Sequence, residues 1–181
     1  MLDYTVLEEL GKEAGFTAVV PLDVSTIECK DKVREMCAVD KCQRYGHTWT
    51  CPPVCGTLDE MRERLKPYSE GILVQTMGDV EDSMDFEGIA EASKKHGENF
   101  NRLFELLRER YPKMLGISAG SCGRCKECTY PDAPCRFPDK MTSSMEAYGM
   151  LVLEVCKKNN LQYYYGPTTI TYNSCFLLGE D

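Results

Sequence analysis

Histidine, tryptophan and net positive charge are what this sequence has least of. Two histidines in 181 residues cannot supply the imidazole sets on which histidine-bound metallohydrolases rest. The 21 Lys and Arg are outnumbered by 29 Asp and Glu, for a net charge of −8. Phosphate contacts need clustered cations, so nucleic acid is not an expected partner. No apolar run reaches the roughly 20 residues that cross a bilayer, so no membrane role is expected. No charged n-region followed by an apolar h-region opens the chain, which points to a cytoplasmic protein. There is no nucleophile elbow, phosphate-binding loop or dinucleotide fingerprint. The C-x3-C-x2-C spacing of radical S-adenosylmethionine enzymes is also missing.

What the sequence does have is cysteine, 11 in all. Without an export signal, metal binding explains them better than disulfides, and the odd count fits a disulfide framework poorly. Cys122, Cys125 and Cys128 repeat every three residues, and Cys135 follows after Pro134. A loop with that repeat can turn its sulfurs toward one centre. The nearest known pattern is the bacterial ferredoxin run C-x2-C-x2-C-x3-C-P, although here the last gap is longer and Arg136 replaces the proline. A mononuclear zinc site more often pairs C-x2-C knuckles from two places in the chain. The repeat therefore favours a [4Fe-4S] cluster on Cys122, Cys125, Cys128 and Cys135, with zinc as the alternative.

A second group, Cys37, Cys42, Cys51 and Cys55, has enough thiols for another site, but its spacing names no metal. Trp49 and Tyr45 lie among these cysteines as candidate shields, or as ordinary core aromatics. Cys29 and His47 are alternative ligands to Cys55, and a partner could also complete the site. Both cysteine stretches are less acidic than the rest: Lys41 and Arg44 stand against Asp40, and Arg124, Lys126, Arg136 and Lys140 against Glu127, Asp132 and Asp139. Nearby cations stabilise thiolates and anionic clusters. Cys156 and Cys175 read as small core residues, and His96 as an unremarkable mid-helix residue.

The length suits one α/β domain over 1–181, with metal loops at about 25–56 and 120–140. A Thr5–Glu8 capping box predicts a helix over Thr5–Ala14, ended by Gly15. Phe16–Leu22 reads as a strand that Pro21 keeps at an edge. Ser25–Cys55 shows little periodicity. A Thr57–Glu60 box opens a short helix through Leu58, Met61 and Leu65. Gly71–Met77 reads as a strand, Phe86–Tyr111 as a long helix stopped by Pro112, and Lys113–Ala119 as a strand. This strand–helix–strand unit predicts a parallel pair with a right-handed crossover. A Ser143–Glu146 box predicts a helix to about Lys158 with Tyr148, Leu151, Val152 and Val155 inward. Leu161–Tyr165 and Thr169–Leu178 read as strands joined at Gly166-Pro167. The expected fold class is α+β: a mixed sheet with helices packed on it and cysteine-rich loops near strand ends.

The segments Cys37…Cys42-x2-Tyr45-Gly46-x2-Trp49-x-Cys51-Pro52-Pro53, Cys122-x2-Cys125-x2-Cys128…Pro134-Cys135-Arg136-x-Pro138 and Ser144-Met145-Glu146-Ala147-Tyr148-Gly149 together resemble the predicted metal-binding proteins of domain-of-unknown-function family 2284. The resemblance spans about residues 5–178. It implies a small, often anaerobic, prokaryotic protein that binds metal or iron–sulfur clusters. The leading expectation is an electron-transfer protein with one [4Fe-4S] cluster, or two if the first group also holds one. It would be an accessory to a larger anaerobic redox system and have a protein redox partner. The competing expectations are an enzyme whose cluster keeps an iron open to substrate, and a structural or regulatory zinc protein. The oligomeric state is left open.

Overall fold

The computed structural model describes residues 2–179. Its centre is a four-stranded sheet of order β1-β2-β4-β3, built from β1 (Ala18–Asp23), β2 (Glu70–Asp79), β3 (Met114–Ile117) and β4 (Thr169–Leu178). All three neighbouring pairs are antiparallel, and β2 pairs with β4 along its whole length, from Glu70↔Leu178 to Asp79↔Thr169. The fold class is α+β.

One pairing differs from the expectation. β2 and β3 run in the same direction, but β4 lies between them and is antiparallel to both. The unit is thus a split β-α-β rather than an adjacent parallel pair. β4, from the far end of the chain, is the longer neighbour for β2, 10 residues against the 4 of β3, and it takes the place a direct partner would hold. Pro21 does sit in an edge strand, where its missing N–H leaves no ladder bond broken.

Side chains alternate along these strands, so each strand feeds two cores. Ile72, Val74, Phe176 and Leu178 face α1 (Tyr4–Ala14) and the long α4 (Phe86–Arg110), with Leu7, Phe100, Leu103 and Leu107. Phe100 stacks on Phe176 at 4.7 Å between ring centroids. Leu73, Cys175 and Leu177 face the other way. They meet Met61 of α3 (Leu58–Leu65), Val155 and Cys156 of α5 (Val152–Lys158), and Met145, Tyr148 and Met150. The first layer is two helices. The second is largely irregular chain, and both cysteine loops leave from it.

Local signals explain most of the boundaries. The Thr57–Glu60 capping box forms as expected. α1 is capped instead by Asp3, whose carboxylate accepts from the N–H groups of Thr5 and Val6. The Asp3 side chain, two residues earlier, takes the cap position in place of the Thr5 hydroxyl. Gly15 ends α1 at φ 106°. A helix absent from the expectation, α2 (Asp31–Cys37), lies inside the Ser25–Cys55 stretch.

Two expected elements do not form. The helix from Ser143 shrinks to α5, because Gly149 turns the chain at φ 72° and the Ser143 carbonyl is held by the Ser118 N–H at 3.0 Å. Tyr148 and Val155 are buried as expected, but Leu151 faces outward. Leu161–Tyr165 is irregular: side chains of Gln75, Gln162 and Thr171 take the carbonyls of Gln162, Tyr164 and Tyr163.

Candidate metal centre

The second cysteine loop is an excursion from the end of β3. Its two ends are pinned together where Ser118 bridges Ser144. There the Ser118 N–H donates to Ser143 and the Met145 N–H donates to Ser118, each at 3.0 Å. Everything between is held by few bonds, and Arg124 makes several of them. Its Nε donates to the Lys140 carbonyl at 2.9 Å, and its guanidinium lies 4.4 Å from the Phe104 ring centroid and pairs with Glu105 at 3.3 Å. Lys140 meets the same Glu105 at 2.9 Å. Arg136 reaches back to the Glu127 carbonyl at 2.8 Å, and the Thr129 hydroxyl to that of Pro134.

Within this frame Cys122, Cys125, Cys128 and Cys135 line one small cavity of about 50 Å³. All four are half-buried. Its far wall comes from the other cysteine stretch: Arg44, Thr48, Trp49 and Thr50. Trp49 donates its indole N–H to the Ala133 carbonyl at 3.2 Å and meets Tyr130 edge-to-face at 5.0 Å. Trp49 therefore serves the second group and ties the two loops together. Among the described residues, two buried side-chain polar atoms have no hydrogen-bond partner: Thr50 Oγ1 and Arg124 Nη2. Both residues line this cavity. A buried orphan donor costs about 1–3 kcal/mol unless something meets it. Four thiols, a guanidinium and a hydroxyl around one space form a donor set suited to an anionic, sulfur-bound metal group.

The first group is arranged differently. Cys37 ends α2, and the chain then winds through left-handed turns at Asp40, Gln43 and Gly46 (φ 54°, 55° and 71°). The Asp40 carboxylate accepts from the Tyr45 N–H at 2.9 Å, and the Gly46 N–H donates to the Pro52 carbonyl at 2.8 Å. These turns bring Cys37, Cys42 and Cys51 to the wall of a much larger cavity, about 630 Å³. Its other walls include Val33, Met150, Leu151, Leu153 and Tyr163, with Lys41 and Glu146 as its charged groups. Cys55 does not line it. It is buried among Leu58, Met61 and Tyr148, and Arg34 donates to its sulfur at 3.7 Å. Arg34 also holds the carbonyls of Ala147 and Gly56, so one guanidinium fixes α2 against the Ser144–Gly149 turn.

Burial raises the thiols of Cys37, Cys51 and Cys55 above the ordinary cysteine value. The Glu146 carboxylate adds to this at Cys37, Thr48 opposes it at Cys51, and Arg34 opposes it at Cys55. Metal ligation must therefore displace protons, and uptake at these thiols favours higher pH. His47 is exposed and Cys29 lines a separate cavity beside Arg62 and Tyr68. Cys156 and Cys175 are core residues, with burial pushing Cys156 up to about 11 and Cys175 higher still. Among the described residues, no three His, Cys, Asp or Glu side chains are gathered tightly enough to hold a single metal ion as placed.

Sequence reasoning passed over Arg34, Thr48 and Thr50, and took Glu146 for a helix cap. No local pattern marks the first three; Glu146 lay inside a recognised motif but its direction depends on the turn at Gly149. No curated protein and no solved structure matches the chain. A family model described as "Predicted metal-binding protein (DUF2284)" matches residues 20–178.

Proposed function

The chain belongs to that family of predicted metal-binding proteins, and on this premise we propose that it is an iron–sulfur protein that passes electrons within an anaerobic redox system. Cys122, Cys125, Cys128 and Cys135 hold a [4Fe-4S] cluster in this reading. The observation that carries it is the shared cavity: four cysteines at cluster spacing around one space, with Arg124 and Thr50, each of which has a buried unpartnered polar atom, among its lining residues. A cluster bound there supplies one-electron transfer, over a range of potentials set by hydrogen bonds, charge and burial. Arg124 offers a cation and a free N–H to it, and Trp49 with Tyr130 limits water on one side.

The electron partner in this reading is a protein that approaches the second loop with an acidic patch. Arg124 and Lys140 are already paired with Glu105. Lys126 and Arg136 are exposed, and they are the cations left to steer a partner there.

The test is iron, sulfide and zinc content per chain after anaerobic purification, with the absorption spectrum of the same sample. The expected result is iron and acid-labile sulfide in equal amounts, lost from the Cys125→Ala variant. Stoichiometric zinc without sulfide would replace this reading with a structural or regulatory zinc site. Unchanged iron and sulfide in Cys125→Ala would remove the cluster from this loop.

A further inference from the structure

The large cavity beside the first cysteine group is a different kind of site, and we infer that it binds a small organic monocation, an ammonium group on an aromatic body. Such a site needs no metal at Cys37, Cys42 or Cys51, and it is independent of the cluster proposed for the second loop. Three features of the cavity carry it.

The first is size and rim. A volume of about 630 Å³ lies within the range of small-molecule sites, roughly 300–1,000 Å³. The 50 Å³ space in the second loop lies well below it. Met36, Val39, Leu151, Leu153 and Tyr163 line the large cavity and yet stay exposed (67, 66, 38, 49 and 37 %). Eleven large apolar side chains are exposed among the described residues, so nearly half of them share this one rim. Apolar surface gathered in this way marks a binding site, whereas scattered exposed residues do not.

The second is an unanswered carboxylate. Glu146 lines the cavity half-buried, and its side chain makes no hydrogen bond or ion pair among the described residues. Its charge is felt on two sides of the lining. The Cys37 thiol is raised by burial and then by Glu146, and the Tyr163 phenol by burial, then by Cys156 and Glu146. The wall around Glu146 is therefore negative. A carboxylate against apolar walls is partly desolvated, so a cation that meets it gains more than in an exposed pair. Lys41, the other charged residue of the lining, is exposed, and no ion pair joins it to Glu146. Its long stem lets the ammonium stay in water at the rim, and its charge limits the occupant to one positive group.

The third is the chemistry of the walls. Tyr45 and Tyr163 are both in the lining, and a cation is drawn to the face of such a ring. Met36, Met150 and the three cysteines bring sulfur to the same space. Sulfur is soft and polarisable, and it packs favourably against aromatic rings. An ammonium head at Glu146 with an aromatic body against Met150 and Leu153 answers both.

Phenylethylamine, a cation at pH 7, is the probe. Ethylamine is the control without the aromatic body, phenylethanol the control without the charge, and phenylacetate the control with the charge reversed. Binding is measured by calorimetry on the anaerobically purified full chain, with iron, sulfide and zinc content and the urea unfolding midpoint determined on every sample. Phenylethylamine is expected to bind at least tenfold more tightly than any of the three controls. Glu146→Gln should weaken it at least tenfold and leave phenylethanol unchanged. Leu153→Ser, on the exposed rim, should weaken phenylethylamine and phenylethanol alike. Lys41→Gln should leave phenylethylamine binding equal or tighter. All three variants should keep the wild-type metal content and urea midpoint, so a failed cluster reading shows in the wild-type metal analysis and leaves the binding result standing. Phenylacetate or phenylethanol binding as tightly as phenylethylamine would overturn the cation site. So would phenylethylamine binding that survives Glu146→Gln, or that is lost in Lys41→Gln. Self-association that disappears in Leu153→Ser, without phenylethylamine binding to the wild type, would assign the rim to a second copy of the chain and also overturn it.

Discussion

Acidification should destabilise this protein through one residue, His96. The ring sits on α4, 2 % exposed, between β2 and β4. Its Nδ1 lies 2.9 Å from Thr76 Oγ1 and its Nε2 2.7 Å from Ser174 Oγ. Phe16 meets it edge-on at 5.4 Å and Tyr172 lies 6.0 Å away. Hydroxyls and rings satisfy a neutral imidazole, and burial lowers its pKa from 6.5 to about 4. The unfolded chain takes up a proton near pH 6.5 and the folded chain only near pH 4. Between those values the unfolded state binds more protons, so stability falls as pH falls. One pKa unit is worth about 1.36 kcal/mol, which puts the loss at about 2 kcal/mol by pH 5 and about 3 kcal/mol by pH 4, relative to pH 7. The assay is urea unfolding at pH 7 and pH 5, for the wild type and His96→Gln. Other groups that titrate over this interval do so in both proteins and cancel in the difference. The wild type should lose about 2 kcal/mol more than the variant over this interval. Equal losses, within about 0.5 kcal/mol, would show that His96 is not held neutral by burial.

Three further outcomes follow from particular contacts. Trp49→Ala removes the bond to Ala133 and the edge-to-face pair with Tyr130, together worth about 2 kcal/mol; hydrogen exchange should quicken in both residues 38–55 and 122–140, and a change confined to one loop would contradict the tie between them. Gly149→Ala forces an L-residue into φ 72° and places a Cβ 2.8 Å from the Lys30 backbone N and O; the left-handed strain alone is about 1–2 kcal/mol, so urea unfolding should show a loss of at least about 2 kcal/mol, and a neutral result would mean that the Lys30–Gly149 contact is slack. Removing metal with a chelator should open residues 38–55 to protease before the sheet and α4, because metal held only by the folded state stabilises it by mass action; cleavage that starts in α4 instead would refute that order.

Much of the fold could be read along the chain, and the reason is that its signals are local. The Thr57–Glu60 box lies within one helical turn, and α3 forms on it. The apolar stripe of α4 repeats within one helix, and Phe100, Leu103, Phe104 and Leu107 are buried by it. Thr169–Leu178 is rich in β-branched and aromatic residues within one strand and forms as expected. The three-residue spacing of Cys122, Cys125 and Cys128 is local too, and those thiols share one cavity with Cys135. Where sequence alone misleads, the deciding partner is distant. The Ser143–Glu146 box has the right letters, but Ser118, Lys30 and the turn at Gly149 take that backbone elsewhere. β4 enters between β2 and β3 from more than fifty residues beyond β3, a pairing between distant segments that no local signal marks.

The cysteines divide along the same line. Composition and spacing alone point to a metal-binding protein, the description its family carries. Tertiary structure decided that Cys55 turns under Arg34 while Cys37, Cys42 and Cys51 face a cavity. It also decided that Trp49, two residues from Cys51 in sequence, belongs to the centre of the second loop through Ala133, 84 positions away. A side chain's direction depends on which surfaces pack behind it, and those surfaces come from parts of the chain that meet only on folding.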